Sequence, residues 1–227
     1  MKKIPEQRIK LGRSSKLSQR FLSVINQIKF LPSQSVYNLS ICDRKKFVWF
    51  RVAKVGTRSI YHQINANGST SELVHPYQIL YSPRRYEDYF KFAFVRNPWD
   101  RIISCWRNKV VEKNAFKLDD AEFEKVKQFE YFVDYVSRLD IETCNNHLRL
   151  QCALIDLNRI DFLGRFETFE KDLRYVLGCL EISFDNILHE NKSKRKNDFR
   201  EYYTDSLKKK VYHIYKKDID IFGYRFD

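Results

Sequence analysis

Short apolar runs ending in polar turns punctuate the chain. Phe47-Val48-Trp49-Phe50-Arg51-Val52 empties into Ala53-Lys54-Val55-Gly56-Thr57-Arg58-Ser59-Ile60. Phe92-Ala93-Phe94-Val95 empties into Arg96-Asn97-Pro98-Trp99-Asp100-Arg101-Ile102-Ile103-Ser104. Runs this short, rich in aromatic and β-branched residues and bounded by turns, predict buried strands. Ile160–Phe166 predicts a third. Between them the apolar spacing turns helical. Ile60, Tyr61 and Ile64 predict a helix stopping near Asn67-Gly68, and Ile102, Ile103, Trp106 and Val110 another that starts at Pro98. Phe129, Phe132, Val133 and Val136 mark a helix over 129–139. Thr168 is placed to cap a helix over 168–180 with Glu170 and Asp172 in its first turn. Leu207, Val211, Ile214 and Tyr215 mark a last helix over 205–217. The charge-dense residues 112–127 read as a mobile insertion or lid. Strand and helix in alternation imply an α/β fold, a central parallel sheet flanked by helices on both faces. Ligands in such a sheet sit beyond the carboxyl ends of the strands, where Lys54 and Arg96 would both arrive.

A chain of 227 residues suffices for one sizeable domain, here expected over 46–227. Residues 1–45 read as a basic helical extension, with Leu17, Phe21, Val24, Ile25 and Ile28 at helical spacing. Residues 1–20 hold seven Lys/Arg against Glu6, and the whole chain carries a formal charge of +13. That excess calls for an anionic partner: nucleic acid, acidic membrane surface, polyanionic glycan or highly charged nucleotide. The basic N-terminus reads either as a solvated tail or as a peripheral contact with anionic lipid or glycan. Five scattered cysteines without a C-x-x-C pair are neither a disulfide framework nor a zinc pattern, and point to a reducing compartment. No run is long enough to span a bilayer, and the N-terminus lacks the apolar stretch of a signal peptide.

Both turns are built for anions. Lys, Gly and hydroxyls ahead of a helix leave backbone N–H groups at its positive end. The first turn is not a nucleoside-triphosphate loop, which needs G-x-x-x-x-G-K-[ST]. Its order, Lys-x-Gly-Thr-x-Ser after a strand, resembles the 5′-phosphosulfate loop of sulfotransferases. Arg96 and Ser104, eight apart inside F-V-R-N-P-W-D-R, resemble their 3′-phosphate motif. That string is typical of the carbohydrate sulfotransferases related to the Golgi chondroitin 4-O- and heparan 2-O-enzymes. Two matched motifs in the right order are far more specific than either one. Further matches are the Gly164-Arg165-Phe166-Glu167 string and the closing Asp218-x-x-x-Phe222-Gly223-Tyr224, so the likeness covers roughly residues 45–227.

The resemblance implies a P-loop-like sulfotransferase domain using 3′-phosphoadenosine-5′-phosphosulfate and no metal. Lys54, the backbone of Val55 to Ser59 and the hydroxyls of Thr57 and Ser59 would hold the 5′-phosphosulfate. Arg96 and Ser104 would hold the 3′-phosphate, with Lys192 and Ser193 in a basic loop closing over it. Lys54 would neutralise the leaving phosphate, and His75, between the two loops, would be the base. The H-x-x-x-Q string nominates His147, Arg149 and Gln151 as acceptor contacts, although Leu150 stands where the family often has proline. Arg58 departs from the usual Ser or Thr, and either adds an anion contact or points away. A carbohydrate hydroxyl is the implied acceptor, with no nucleic acid partner. Lacking the Golgi relatives' membrane span, the chain is expected to be a cytoplasmic enzyme of bacterial type.

Plainer roles stand beside these. Ser104 also suits small-residue packing, His62 a surface position, His147 a buried hydrogen bond and residues 191–196 a solvated turn. Two other functions compete: a non-catalytic nucleic-acid or polyanion binder, which the charge favours but no binding motif supports, and a P-loop kinase, which the missing G-K-[ST] disfavours.

Overall fold

The computed structural model describes residues 36–65, 79–81, 83–183 and 198–227. A four-stranded mixed sheet organises them, built from β2 (Leu39–Cys42), β3 (Phe47–Phe50), β5 (Phe90–Val95) and β6 (Phe162–Arg165) in that order. β2 pairs antiparallel with β3, while β3, β5 and β6 are mutually parallel, as the strand–helix alternation demands. The short β1 (Val36–Tyr37) and β4 (Ile79–Leu80) form a separate antiparallel pair. β2 lies ahead of residue 46, where the main domain is expected to begin. A tight turn at 43–46, with Lys46 at φ 47°, folds it back along β3, and all four of its residues are buried.

The helices are α1 (Thr57–Asn65), α2 (Pro98–Trp106), α3 (Asp120–Val126), α4 (Phe129–Ser137), α5 (Phe169–Cys179) and α6 (Asp205–Phe222). Register puts Trp49 beside Phe92 and Phe94 beside Gly164, so these share one face of the sheet. α5 covers that face: Phe169 meets Phe94 at 5.6 Å between ring centroids, and Tyr175 meets Phe162 at 4.6 Å. The opposite face carries Phe50 against Tyr37 and Tyr81. A second apolar cluster joins Ile102 and Ile103 of α2, Phe132, Val133 and Val136 of α4, and Val211 and Tyr215 of α6.

Several boundaries move. Residues 112–127 carry a helix, α3, that the charge density did not predict. Asp119 caps α3 by accepting from the Glu122 N–H, Val126 is buried, and the Trp106 indole donates to the Val126 carbonyl at 3.0 Å. α6 runs past 217 to a left-handed stop at Gly223 (φ 63°), bending at Tyr215. Thr168 precedes α5, but its hydroxyl donates to the Asp172 carboxylate at 2.7 Å instead of capping backbone. The helix expected around residues 17–28 lies outside the described residues, as do His75, Lys192 and Ser193.

Gly164 sits tightly against the neighbouring strand. A Cβ there would lie 2.5 Å from the Phe94 ring, which is itself fully buried. Gly164→Ala should therefore lower stability by ~1–3 kcal/mol through overpacking, read from the urea midpoint at unchanged slope. A neutral result would show that the ring moves freely.

Candidate functional site

Two neighbouring parallel strands release their chains at one edge of the sheet, and the two turns meet there. The Arg96 guanidinium, at the end of β5, donates to the Lys54 carbonyl in the turn after β3 at 3.0 Å. Its other side engages Asp100 at 2.7 Å, and the group lies over the Phe166 ring at 3.9 Å. Arg96 is 7% exposed, so it is fixed before any ligand arrives. Gln151 holds its backbone from behind, accepting the Arg96 N–H at 3.0 Å and donating to the Arg96 carbonyl at 2.9 Å. Gln151 is held in turn, because Asp218 accepts both its N–H and that of Cys152.

The first turn is bent into shape by two left-handed residues. Gly56 has φ 81°, and a Cβ there would strike the Phe169 ring at 2.7 Å, so handedness and space both require glycine. Lys54 has φ 72°, a conformation costing a side-chain-bearing residue ~1–2 kcal/mol. The Thr57 hydroxyl closes the turn by donating to the Val52 carbonyl at 2.9 Å. α1 then begins inside the motif, so its first-turn N–H groups have no intrahelical partner. Val55 and Ser59 are buried and Arg58 is exposed. Ser104 is half-buried on α2.

One face of α2 serves the Lys54 side chain. Arg101, Cys105 and Asn108 follow one another at helical spacing, and Lys54 donates to the Asn108 amide oxygen at 3.2 Å. Asn108 lies in a π turn (Arg107–Val111) that prolongs α2, and its own amide donates to Glu112 at 2.7 Å. Burial lowers the Lys54 ammonium from 10.5 to about 8, with Arg96 and Lys109 adding to the fall against Cys105 and Glu112. The turn thus holds a half-desolvated cation among other cations, which an anion would relieve.

The 143–149 loop borders the same cluster. Its His147 Nδ1 lies 2.9 Å from the Asn145 side-chain oxygen, which also accepts the His147 backbone N–H. That backbone donor identifies the oxygen, so Nδ1 carries the proton and Nε2 the lone pair. Burial lowers the imidazole to about 4, helped by Lys109, Lys54, Arg101 and Lys113, and His147 is neutral at pH 7. Arg149 donates to the Thr143 and Cys144 carbonyls of its own loop. Of the three residues nominated by H-x-x-x-Q, only His147 thus keeps a ring nitrogen with a lone pair. Sequence reasoning left Arg101 unassigned and missed Asn108. Their i, i+7 spacing with Cys105 between was the available signal.

Among the described residues no cluster of His, Cys, Asp and Glu could hold a metal ion, and no helix is long and apolar enough to cross a membrane. None of the five cysteines is paired.

Because the folded state binds the Lys54 proton less tightly than the unfolded chain, this group's contribution is least favourable below about pH 8 and recovers towards 10.5. Lys54→Met should accordingly raise Tm at pH 7 and lose that advantage by pH 10.5. A difference that is flat across this window would contradict a buried ammonium.

The sulfotransferase family model matches residues 37–225. Carbohydrate sulfotransferase 11 of Rattus norvegicus is 27% identical over 88% of this chain and 68% of its own length. Carbohydrate sulfotransferase 10 of Danio rerio is 26% identical over 60% of the chain and 50% of its own, and carbohydrate sulfotransferase 14 of Danio rerio 31% over 41% and 30%. No solved structure gave a significant match. With a family match across more than four-fifths of its length, the chain belongs to the sulfotransferase family.

Proposed function

We propose that this protein transfers a sulfuryl group from 3′-phosphoadenosine-5′-phosphosulfate to a hydroxyl of a carbohydrate. The observation that carries the proposal is the 3.0 Å bond from Arg96 to the Lys54 carbonyl, which puts both turns on one cleft. A donor with phosphates at both ends needs two such turns side by side. The residues fit it: a depressed lysine, an open helix N-terminus, and a glycine floor against Phe169 that leaves no room for a side chain. The names of the relatives support a carbohydrate as the acceptor.

The bound donor would supply an activated sulfuryl group on a phosphate leaving group. Lys54, with the backbone of Val55 to Ser59 and the Ser59 hydroxyl, binds the 5′ end, while Thr57 keeps the turn closed through Val52. Lys54 gains its proton firmly as the anion enters and neutralises the charge left on the phosphate. Arg96 and Ser104 bind the 3′-phosphate, with Lys192 and Ser193 closing over it. Arg58, exposed on α1, remains available to the anion's outer edge. Fixing both ends orients the sulfur for in-line attack, where positioning supplies most of the catalysis. His75 takes the proton of the attacking hydroxyl. Of the H-x-x-x-Q trio, His147 meets the acceptor through Nε2, while Arg149 and Gln151 shape that wall through the bonds described above. The unpaired cysteines suit work in a reducing, cytoplasmic setting.

Adenosine 3′,5′-bisphosphate should raise Tm, by ~2.7 kcal/mol of added stability at a hundredfold excess over Kd, whereas ATP with magnesium or an oligonucleotide should not. Lys54→Ala and Arg96→Ala should each abolish retention on the immobilised bisphosphate. Stabilisation by the oligonucleotide alone would favour a polyanion binder. His75→Ala should bind the bisphosphate normally and lose turnover, and a fully active variant would remove His75 from the mechanism.

A further inference from the structure

Arg101 is among the largest fully buried side chains of the described residues, at 2% exposure, yet none of their carboxylates pairs with it. Its guanidinium is spent on three backbone carbonyls from two separate segments. Nε donates to Ala53 at 3.1 Å, the residue directly before Lys54. Nη1 donates to the Arg149 carbonyl at 2.9 Å and Nη2 to the Asn146 carbonyl at 3.1 Å, on either side of His147. A planar fork of fixed geometry therefore spans the phosphate turn and the 146–149 loop, holding the two at a set distance. The same loop is pinned from its far side by the Tyr215 hydroxyl, which donates to the Leu148 carbonyl at 2.9 Å.

We propose that Arg101 is a positioning residue that fixes the loop carrying His147 against the turn carrying Lys54, so that acceptor and donor sides move as one body. Arg101 touches neither ligand; it acts through Ala53 on one side and through Asn146 and Arg149 on the other. This coupling rests on the transferase reading above, since it assigns the two segments to acceptor and donor. The chemistry explains why arginine is needed. Three carbonyls from two segments call for donors spread across a rigid fork, and a lysine ammonium at that place keeps the charge on a single nitrogen without that spread.

The test follows His147 by NMR in the full chain labelled at histidine, comparing wild type, Arg101→Lys and Arg101→Ala. In wild type, His147 should titrate well below the ordinary histidine range, and adenosine 3′,5′-bisphosphate should shift its ring resonances. Arg101→Lys keeps the positive charge facing His147 alongside Lys54, Lys109 and Lys113, so any change reports release of the loop and not lost repulsion. The expected result in Arg101→Lys is a His147 midpoint raised by about one pH unit or more towards 6.5. The bisphosphate should still bind within about tenfold, yet no longer shift the His147 resonances. In Arg101→Ala, added guanidinium at millimolar concentration should restore the wild-type titration, as a general loss of packing would not allow. Should Arg101→Ala fail to fold, Arg101→Lys alone decides. An unchanged His147 midpoint with an unchanged bisphosphate-induced shift in Arg101→Lys overturns the proposal. If wild type binds no bisphosphate, the functional reading fails instead, while the titration still shows whether the fork holds the loop.

Discussion

Parallel pairing of β3 with β5 is the constraint from which the site follows. Neighbouring strands lie about 4.8 Å apart, so turns leaving the same edge must share space. Two cationic turns in one place would repel each other, and the protein resolves this by directing side-chain donors onto backbone acceptors. Arg96 takes the Lys54 carbonyl and Arg101 takes that of Ala53. Carbonyl oxygens accept these donors without cancelling their positive charge. Asp100 does cancel charge, as the ion-pair partner of Arg96.

Helix α2 is the second organising element. Its start caps the Arg96 turn, since the Asn97 side chain accepts from the Trp99 N–H at 3.1 Å. Its middle supplies Arg101, and the π turn at its end supplies Asn108 to Lys54. One helix thus supports both turns and the 146–149 loop. Such π turns are frequent at functional positions because they redirect side chains that a regular helix would carry elsewhere.

Much of this was legible in the residues. Phe47–Phe50 and Phe92–Val95 announced themselves as strands through aromatic and branched composition, and their turns through lysine, glycine and proline. The edge strand Leu39–Cys42 did not, because it is buried on both faces and Ser40 interrupts an already short run. Charge density over 112–127 concealed a helix whose few apolar anchors, Phe123 and Val126, are too sparse to show a period. Residue type also says nothing of direction. Gln151 reads as a polar group for a ligand, but it is wholly buried and bonded to the backbone of Arg96. His147 and Arg101 look equally ambiguous in one dimension, and only the convergence of distant carbonyls separates their roles.

Residues 218–225 brace the groups that hold the Arg96 turn, and touch the turn itself through Arg225. Asp218 secures Gln151, the Phe222 carbonyl accepts from Arg165, and the Arg225 carbonyl accepts from Asn97. Tyr224 donates to Glu167, whose other oxygen accepts the Asn97 N–H. A polypeptide grows from its amino end and folds as it emerges. The nascent chain can therefore assemble its sheet early, yet it cannot lock the second turn until residue 225 has left the ribosome.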